Sequence, residues 1–248
     1  MTTIKKLFSP LLTVGLAIVL FSCNNSTEPK ETTEKAADSA VTMSAEPAPS
    51  PAPAPAAFQP FDLMEITHTV KDYAKWKVAF DLDSVARKAS GLEFIVIGKN
   101  NSNSNKLNIA FTATDVAKAK AFAADPRLKD VMEKNGVISK PAINYFHVLR
   151  FNPDAKEKQW VLITHKVKDF DTWVKAFDAE GAAARTANGL LDVALARGID
   201  DPSIVHIVFD ITDMEKAKAR INSPELKKIM MDAGVEGKPT IEFYTTAE

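Results

Sequence analysis

The segment THTVKDYAKWKVAFD at residues 67–81 recurs as THKVKDFDTWVKAFD at residues 164–178, at an offset of 97 residues and with nine of the fifteen residues identical. Further along the chain one residue is inserted, and the matches continue at an offset of 98. The later matched pairs are Arg87 and Arg185, Gly91 and Gly189, Asp115 and Asp213, and Pro126 and Pro224. A register kept over about a hundred residues indicates two copies of one structural unit.

Each copy has the pattern of a βαββαβ unit. In the first copy a β-rich run precedes Asp72, which suits a helix N-cap, and Trp76 and Phe80 lie four residues apart on one helical face. Two β-rich runs follow, EFIVIG and LNIAFTA, and a helix that begins at Pro126 precedes the closing strand INYFHVL. This order predicts the ferredoxin-like arrangement, a four-stranded antiparallel sheet with helices on one face.

A single unit of this kind leaves the other face of its sheet uncovered. A bare, partly apolar sheet face requires a partner, and the second copy on the same chain supplies one. The sequence therefore predicts an α+β fold in which two tandem ferredoxin-like repeats, residues 61–152 and 153–248, pack as an intramolecular dimeric α/β barrel. We expect a monomer with internal pseudo-symmetry.

The first 22 residues have the pattern of a bacterial lipoprotein signal peptide. Two lysines precede an apolar run that is too short to span a membrane. The run ends in Leu20-Phe21-Ser22-Cys23, which resembles a lipobox, and Cys23 is the single cysteine of the chain. These features predict acylation of Cys23 and an extracytoplasmic protein anchored to a membrane, with the outer membrane favoured over the inner one. The alternative is an ordinary signal peptide with an incidental cysteine.

Residues 23–60 have the composition of a disordered tether. They contain almost no large apolar residues and include the Pro/Ala-rich sequence EPAPSPAPAPAAFQP, which cannot bury enough apolar surface to offset its ordering entropy. Extended at roughly 3.1 Å per residue, about 37 residues would reach up to ~100 Å from a membrane.

The composition excludes several classes of protein. The net charge is −1 and there is no basic run, so a nucleic-acid partner is not expected. No His/Cys cluster has metal-ligand spacing, and there is no Gly-rich phosphate loop or nucleophile-elbow motif. We therefore predict no metal and no cofactor.

The repeated pattern H-x-V-x-D-[YF]-x-x-W-x-x-x-F-D, a later arginine, a glycine, and the sequence DMEKAKA…SPELKKIMMDAGVEGKPTIEFY together resemble a known superfamily. It is the dimeric α/β-barrel superfamily, in particular its small proteins related to antibiotic-biosynthesis monooxygenases. The resemblance covers residues 63–244. It implies the barrel fold, and it implies a range of activities that includes cofactor-independent oxygenases, haem-degrading enzymes, isomerases and polyketide cyclases, besides proteins without known activity.

Strand alternation predicts which residues line the cleft between the two sheets. In the third strand of the second copy, His206 and Asp210 lie on the face opposite the helices, and His165 lies on the adjacent first strand. Arg197 is expected at the mouth of the cleft. Because imidazole titrates near neutrality, His165, His206 and the repeated His68 are candidate catalytic bases, while Asp210 and Arg197 are candidate ligand-binding residues. The alternative for His68 and His165 is a packed histidine.

Two further repeated pairs are open to two interpretations. Trp76 and Trp173 are candidate pocket residues, because tryptophan shapes the pocket in related oxygenases, but an aromatic stripe at helical spacing also suits a core. Arg87 and Arg185 could hold an anionic ligand or could lie on a solvated helix face.

The sequence leaves three hypotheses for function. The first is a lipid-tethered barrel that binds a small, partly apolar ligand bearing one acidic or hydroxyl group. The second is a cofactor-independent oxygenase or isomerase that uses histidine as a base, and the third is a structural or interaction protein of the cell envelope. The absence of a reinforcing acid–base constellation favours binding or an unknown role over catalysis, and whether the protein is an enzyme stays open.

Overall fold

The computed structural model describes residues 58–247. The predicted signal peptide (1–22), Cys23 and most of the tether lie outside the described residues. No helix within the described part is both long and apolar enough to cross a membrane.

The first repeat contains eight elements in the predicted βαββαβ order, because each helical stretch is divided in two. They are β1 (Phe61–Thr69), α1 (Tyr73–Leu82), α2 (Ser84–Ala89), β2 (Leu92–Asn100), β3 (Lys106–Ala113), α3 (Val116–Ala123), α4 (Pro126–Lys134) and β4 (Ala142–Phe151).

The second repeat has the same order. Its elements are β5 (Gln159–Val167), α5 (Phe170–Glu180), α6 (Ala182–Ala187), β6 (Leu190–Gly198), β7 (Ile204–Ile211), α7 (Met214–Ile221), α8 (Pro224–Asp232) and β8 (Val235–Thr246). The predicted α+β fold of tandem ferredoxin-like repeats is confirmed.

The helices begin where the sequence places capping residues. The Asp72 carboxylate accepts a hydrogen bond from the backbone N–H of Lys75, and Asp169 does the same for Thr172. Such caps satisfy backbone donors that the first helical turn leaves without partners. The inserted residue that changes the offset from 97 to 98 falls at the break between α5 and α6, where Gly181 has a φ of 81°. A glycine tolerates this left-handed conformation, so the insertion is absorbed without changing the strands.

All eight strands form one closed barrel in the order β1-β3-β2-β8-β5-β7-β6-β4. Each repeat contributes four consecutive antiparallel strands, and two seams join the repeats. The β4–β6 seam runs from the pair Phe146–Gly198 to the pair Phe151–Ala194, whereas the β2–β8 seam contains three pairs. Closure removes every exposed sheet edge.

The barrel has two layers of core. The outer layer lies between the sheet and the helices and forms one apolar cluster in each repeat, around Trp76 and Trp173. The inner layer lies inside the barrel and includes the buried residues Leu63, Phe146 and Leu162. Because its core and its strand pairings are internal to it, the compact unit from residue 54 onward meets the requirements for folding as an independent domain.

Candidate functional site

The interior of the barrel contains a cavity of about 320 Å³, which is at the small end of the range for ligand sites. Most of the surface of its walls is apolar. The aliphatic lining includes Leu63, Val96, Ala110, Val148, Leu162 and Val208.

Two β-bulges widen this cavity at equivalent positions of the repeats. The β2–β3 register shifts between Phe94 and Val96, and the β6–β7 register shifts between Asp192 and Ala194. The extra residue in each bulge, Ile95 or Val193, lines the cavity together with the residue that follows it. A bulge interrupts the alternation of side chains, so simple alternation does not predict this contribution.

In the wall of this cavity, one polar cluster links the two repeats. Nε2 of His206 lies 3.2 Å from Oε2 of Glu65, and Nδ1 of His206 lies 3.1 Å from Oγ1 of Thr164. Glu65 is 4% exposed and His206 is 1% exposed. The Phe146 ring stacks on the imidazole at a centroid distance of 4.0 Å. Both ring nitrogens of His206 are therefore occupied by protein groups.

This polar cluster breaks the pseudo-symmetry of the barrel. The position equivalent to Glu65 in the second repeat is Leu162, and the position equivalent to His206 in the first repeat is Asn108. Asn108 instead donates to Oγ1 of Thr67 at 3.3 Å. The pair of Glu65 and His206 thus exists once in the barrel and needs one residue from each repeat.

Asp210 lies on the same strand as His206, and both residues line the cavity, as alternation predicted. It is 5% exposed, and its Oδ2 accepts a hydrogen bond of 2.9 Å from the backbone N–H of Glu157. Burial raises the pKa of Asp210. The hydrogen bond from the backbone of Glu157 opposes this effect, and the charge of Glu157 adds to it. Across the β5–β7 ladder, Asp210 is directly opposite Trp160, which also lines the cavity.

Trp160 is held in place on two sides. Its ring stacks on Tyr244 with a centroid distance of 4.6 Å. On the other side it lies against the backbone of Gly98, where an added Cβ would be 2.3 Å from Cζ2 of the indole. The indole Nε1 is buried and has no hydrogen-bond partner among residues 58–247. The wall of the cavity therefore contains a fixed indole whose N–H is left unused by the described part of the chain.

The prediction that Arg197 lies at the mouth of the cavity is wrong. Its guanidinium lies 4.7 Å from the Phe170 ring centroid, on the helix-covered side of the sheet. Lys99, its counterpart, packs in the same way over Tyr73. Successive side chains of a strand point to opposite faces of the sheet. Arg197 directly follows Ala196, which lines the cavity, and therefore faces outward. The mouth is instead lined by the segment 155–158.

His68 and His165 do not converge with His206 inside the barrel. Both lie in the outer layer, with ring centroids 5.4 Å and 5.3 Å from those of Trp76 and Trp173. All four of their ring nitrogens are buried, and none has a hydrogen-bond partner among the described residues. Burial lowers the pKa of each histidine to about 4, so both are neutral near pH 7. The surroundings of His68 and His165 are therefore those of packed histidines, which was the alternative to a catalytic role.

The two tryptophans accompany these histidines in the outer layer. Trp76 and Trp173 border helix-side cavities of about 50 Å³ and 70 Å³ and do not line the barrel cavity. Arg87 and Arg185, for which a solvated helix face was one alternative, are in fact buried and donate to the carbonyls of Phe80 and Phe177 at 2.7 Å. Each guanidinium also lies 3.8 Å from the ring centroid of the same phenylalanine.

The sequence analysis did not single out three interior residues, Glu65, Trp160 and Thr164. For Glu65 a usable indication exists, since it is a lone carboxylate in the β-rich run LMEITHTV and its counterpart is apolar. No comparable indication exists for Thr164, because its role depends on the register of β5 against β7, which places it opposite His206. Among residues 58–247, no group of three His, Cys, Asp or Glu side chains is arranged to hold a metal ion.

The fold and the cavity define this protein as an eight-stranded α/β barrel of two ferredoxin-like repeats with a ligand-sized space inside. Solved structures with a similar fold include a candidate monooxygenase from Lactobacillus acidophilus NCFM, at 16% identity and a TM-score of 0.50, covering 75% of this chain and 94% of that chain. A candidate monooxygenase from Fusobacterium nucleatum has 12% identity and a TM-score of 0.52, with coverages of 76% and 93%. An anthrone oxidase-like protein has 14% identity and a TM-score of 0.53, with coverages of 76% and 92%.

These likenesses confirm the resemblance at the level of the fold. At such identities a shared structure shows the fold alone and does not transfer an activity. No protein-family model matches the chain, and no curated protein matches it.

Proposed function

We propose that this protein is a lipid-anchored, extracytoplasmic binding protein that holds a small, largely apolar molecule inside its barrel. The observation that supports this most directly is the cavity of about 320 Å³, which has aliphatic walls and a few polar groups. An apolar cavity with a small number of convergent polar groups is the usual form of a ligand site.

The interior geometry favours binding over acid–base catalysis. A general base must be within hydrogen-bond reach of the proton it removes. Both ring nitrogens of His206 are already engaged, by Glu65 and Thr164. His68 and His165 border cavities of about 50 Å³ and 70 Å³, which have room for little more than water. An oxygenase substrate of ordinary size would therefore have to occupy the barrel cavity.

The binding proposal can be tested on the protein from residue 54 onward. The probe is 2-methoxynaphthalene, and the readouts are the unfolding temperature and the quenching of tryptophan fluorescence. Ala110→Phe should fill the cavity and abolish binding, because Ala110 lines it. Ala179→Phe, which adds the same ring at an exposed helical position, is the matched control. If both variants bind the probe equally well, the cavity is not the binding site. Oxygen consumption in the presence of the probe would favour the oxygenase alternative.

The anchoring part of the proposal depends on Cys23 and the lipobox-like sequence before it. Two or more acyl chains anchor a protein stably, whereas one chain binds a membrane only marginally. Cys23→Ala should move the protein from the membrane fraction to a soluble or uncleaved form. A variant of mature size that stays in the membrane fraction would contradict the lipoprotein assignment.

The envelope interaction alternative has one supporting observation. Val78, Leu82 and Val85 form an exposed apolar stripe along α1 and α2, and Leu82 is 80% exposed. The equivalent positions in the second repeat include Lys175 and Ala179, so the stripe exists in one repeat. If it mediates self-association, the protein should sediment as a dimer and Leu82→Lys should restore the monomer. A monomer in both cases would remove this alternative.

A further inference from the structure

Two side chains in the wall of the barrel cavity specify a chemical group. We propose that Trp160 and Asp210 together bind a hydroxyl group, so that the ligand of the barrel is an apolar alcohol or phenol. This inference rests on the proposed binding function and specifies the ligand for that same cavity.

The donor is the indole of Trp160. The residue is 6% exposed and lines the cavity, and its Nε1 is buried without a partner in the part of the chain that the structure describes. Tyr244 and the backbone of Gly98 fix the position of the ring. Buried polar groups in proteins almost always have a partner, so a rigid, unused N–H in a cavity wall indicates that the occupant provides an acceptor.

The acceptor is the carboxylate of Asp210. Its one hydrogen bond within the described part of the chain comes from the backbone N–H of Glu157 to Oδ2, and it forms no ion pair with a residue that the structure describes. A carboxylate oxygen can accept further hydrogen bonds. The occupant is therefore also expected to provide a donor.

The two groups are close enough to contact a single atom of the ligand. Trp160 and Asp210 are directly opposite each other in the β5–β7 ladder, and Cβ atoms at such positions are about 4.5–5.5 Å apart. A hydroxyl oxygen both accepts and donates. An ether or ketone could only accept from Trp160, and a carboxylate would be repelled by Asp210. Arg197, the cation expected to hold an acidic ligand group, lies outside the barrel. The two lysines that line the cavity, Lys156 and Lys158, are exposed residues of the segment at its mouth.

The equivalent positions in the first repeat do not form a second site of this kind. The counterpart of Trp160 is Leu63 and the counterpart of Asp210 is Thr112. Leu63 has no polar group, so the donor and acceptor pair occurs at one place in the pseudo-symmetric barrel. A single ligand with a defined orientation is therefore expected.

The test compares three probes of the same shape by titration calorimetry on the protein from residue 54 onward: 2-naphthol, 2-methoxynaphthalene and 2-naphthoate. The wild type should bind 2-naphthol at least about tenfold more tightly than 2-methoxynaphthalene, since a hydrogen bond to a charged group stabilises by that order. It should bind 2-naphthoate most weakly. Trp160→Phe and Asp210→Val should each bring the ratio of the first two affinities close to one. His68→Phe, in the outer layer, is the control and should leave the ratio unchanged.

The outcomes separate the two levels of the proposal. Equal affinities for 2-naphthol and 2-methoxynaphthalene in the wild type would overturn the hydroxyl assignment while leaving the binding function intact. Tightest binding of 2-naphthoate would also overturn it. If no probe binds the wild type, the binding function itself fails and the assignment fails with it. The wild-type comparison needs no substitution, so the result does not depend on whether either variant folds.

Discussion

The two histidines in the outer layer should make the stability of this protein strongly dependent on pH. Burial lowers the pKa of His68 and of His165 from 6.5 to about 4. The unfolded chain therefore binds protons at these residues in the window between about pH 6.5 and pH 4, and the folded chain does not. Since stability rises with pH wherever the unfolded state binds more protons, the contribution is complete above about pH 6.5 and is lost as the pH falls through this window.

The size of the effect follows from the same values. Between about pH 7 and pH 5, each histidine should reduce the free energy of unfolding by about 2 kcal/mol, and both together by about 4 kcal/mol. Urea unfolding of the protein from residue 54 onward, followed by tryptophan fluorescence at the two pH values, measures this difference. The interval ends at about pH 5 because carboxylates begin to contribute below it.

The perturbation is the double replacement His68→Phe and His165→Phe. Phenylalanine preserves the ring contacts with Trp76 and Trp173 and removes both the titrating group and the unpartnered nitrogens. The difference in unfolding free energy between about pH 7 and pH 5 should fall by about 4 kcal/mol, and each single variant should account for half of this. His147→Gln, at an exposed position paired with Asp62, is the control. An unchanged pH dependence in the double variant would show that the imidazoles are solvated or hydrogen-bonded, which would refute the reasoning.

Three further predictions concern the barrel itself. His206→Asn should destabilise the fold by about 3–5 kcal/mol, because Glu65 then lies buried without its partner. Adding Glu65→Leu, which recreates the residues found at the pseudo-symmetric positions, should recover part of this loss. If the two substitutions instead destabilise the protein additively in urea unfolding, the two residues are not paired. Gly189→Ala should lower stability by more than about 1 kcal/mol, because φ is 79° and an added Cβ would lie 2.4 Å from a backbone carbonyl. Gly181→Ala, with a similar φ and no atom within 4 Å, should cost less, and equal costs would argue against the steric cause. The second repeat alone, residues 153–248, should dimerise or aggregate, because both edges of its sheet lose their partners. A stable monomer in sedimentation would contradict the conclusion that each repeat needs the other.

The sequence was sufficient for the architecture because its determinants are local or repeated. The caps at Asp72 and Asp169 depend on residues within one helical turn, and the order of strands and helices follows from the periodicity of apolar residues. The internal repeat then implied a second sheet of the same kind. Alternation also placed His206 and Asp210 on the inner face of β7, because the opposite face of that strand had to lie under the helices.

The composition of the candidate site was decided by the tertiary structure. Alternation predicts which face of the sheet each side chain occupies, but it does not predict the register of a strand against its neighbour. That register places Thr164, and not His165, beside His206. Glu65 meets His206 only because β1 and β7 face each other across the closed barrel. The bulge at Ile95 adds a residue that no periodic pattern reports. The sequence by itself determined the elements, their order and the need for a second copy, since these follow from short-range chemistry. The interior pairings, and the separation of His68 and His165 from the cavity, depend on how eight strands align when the barrel closes, and that alignment is a property of the whole fold.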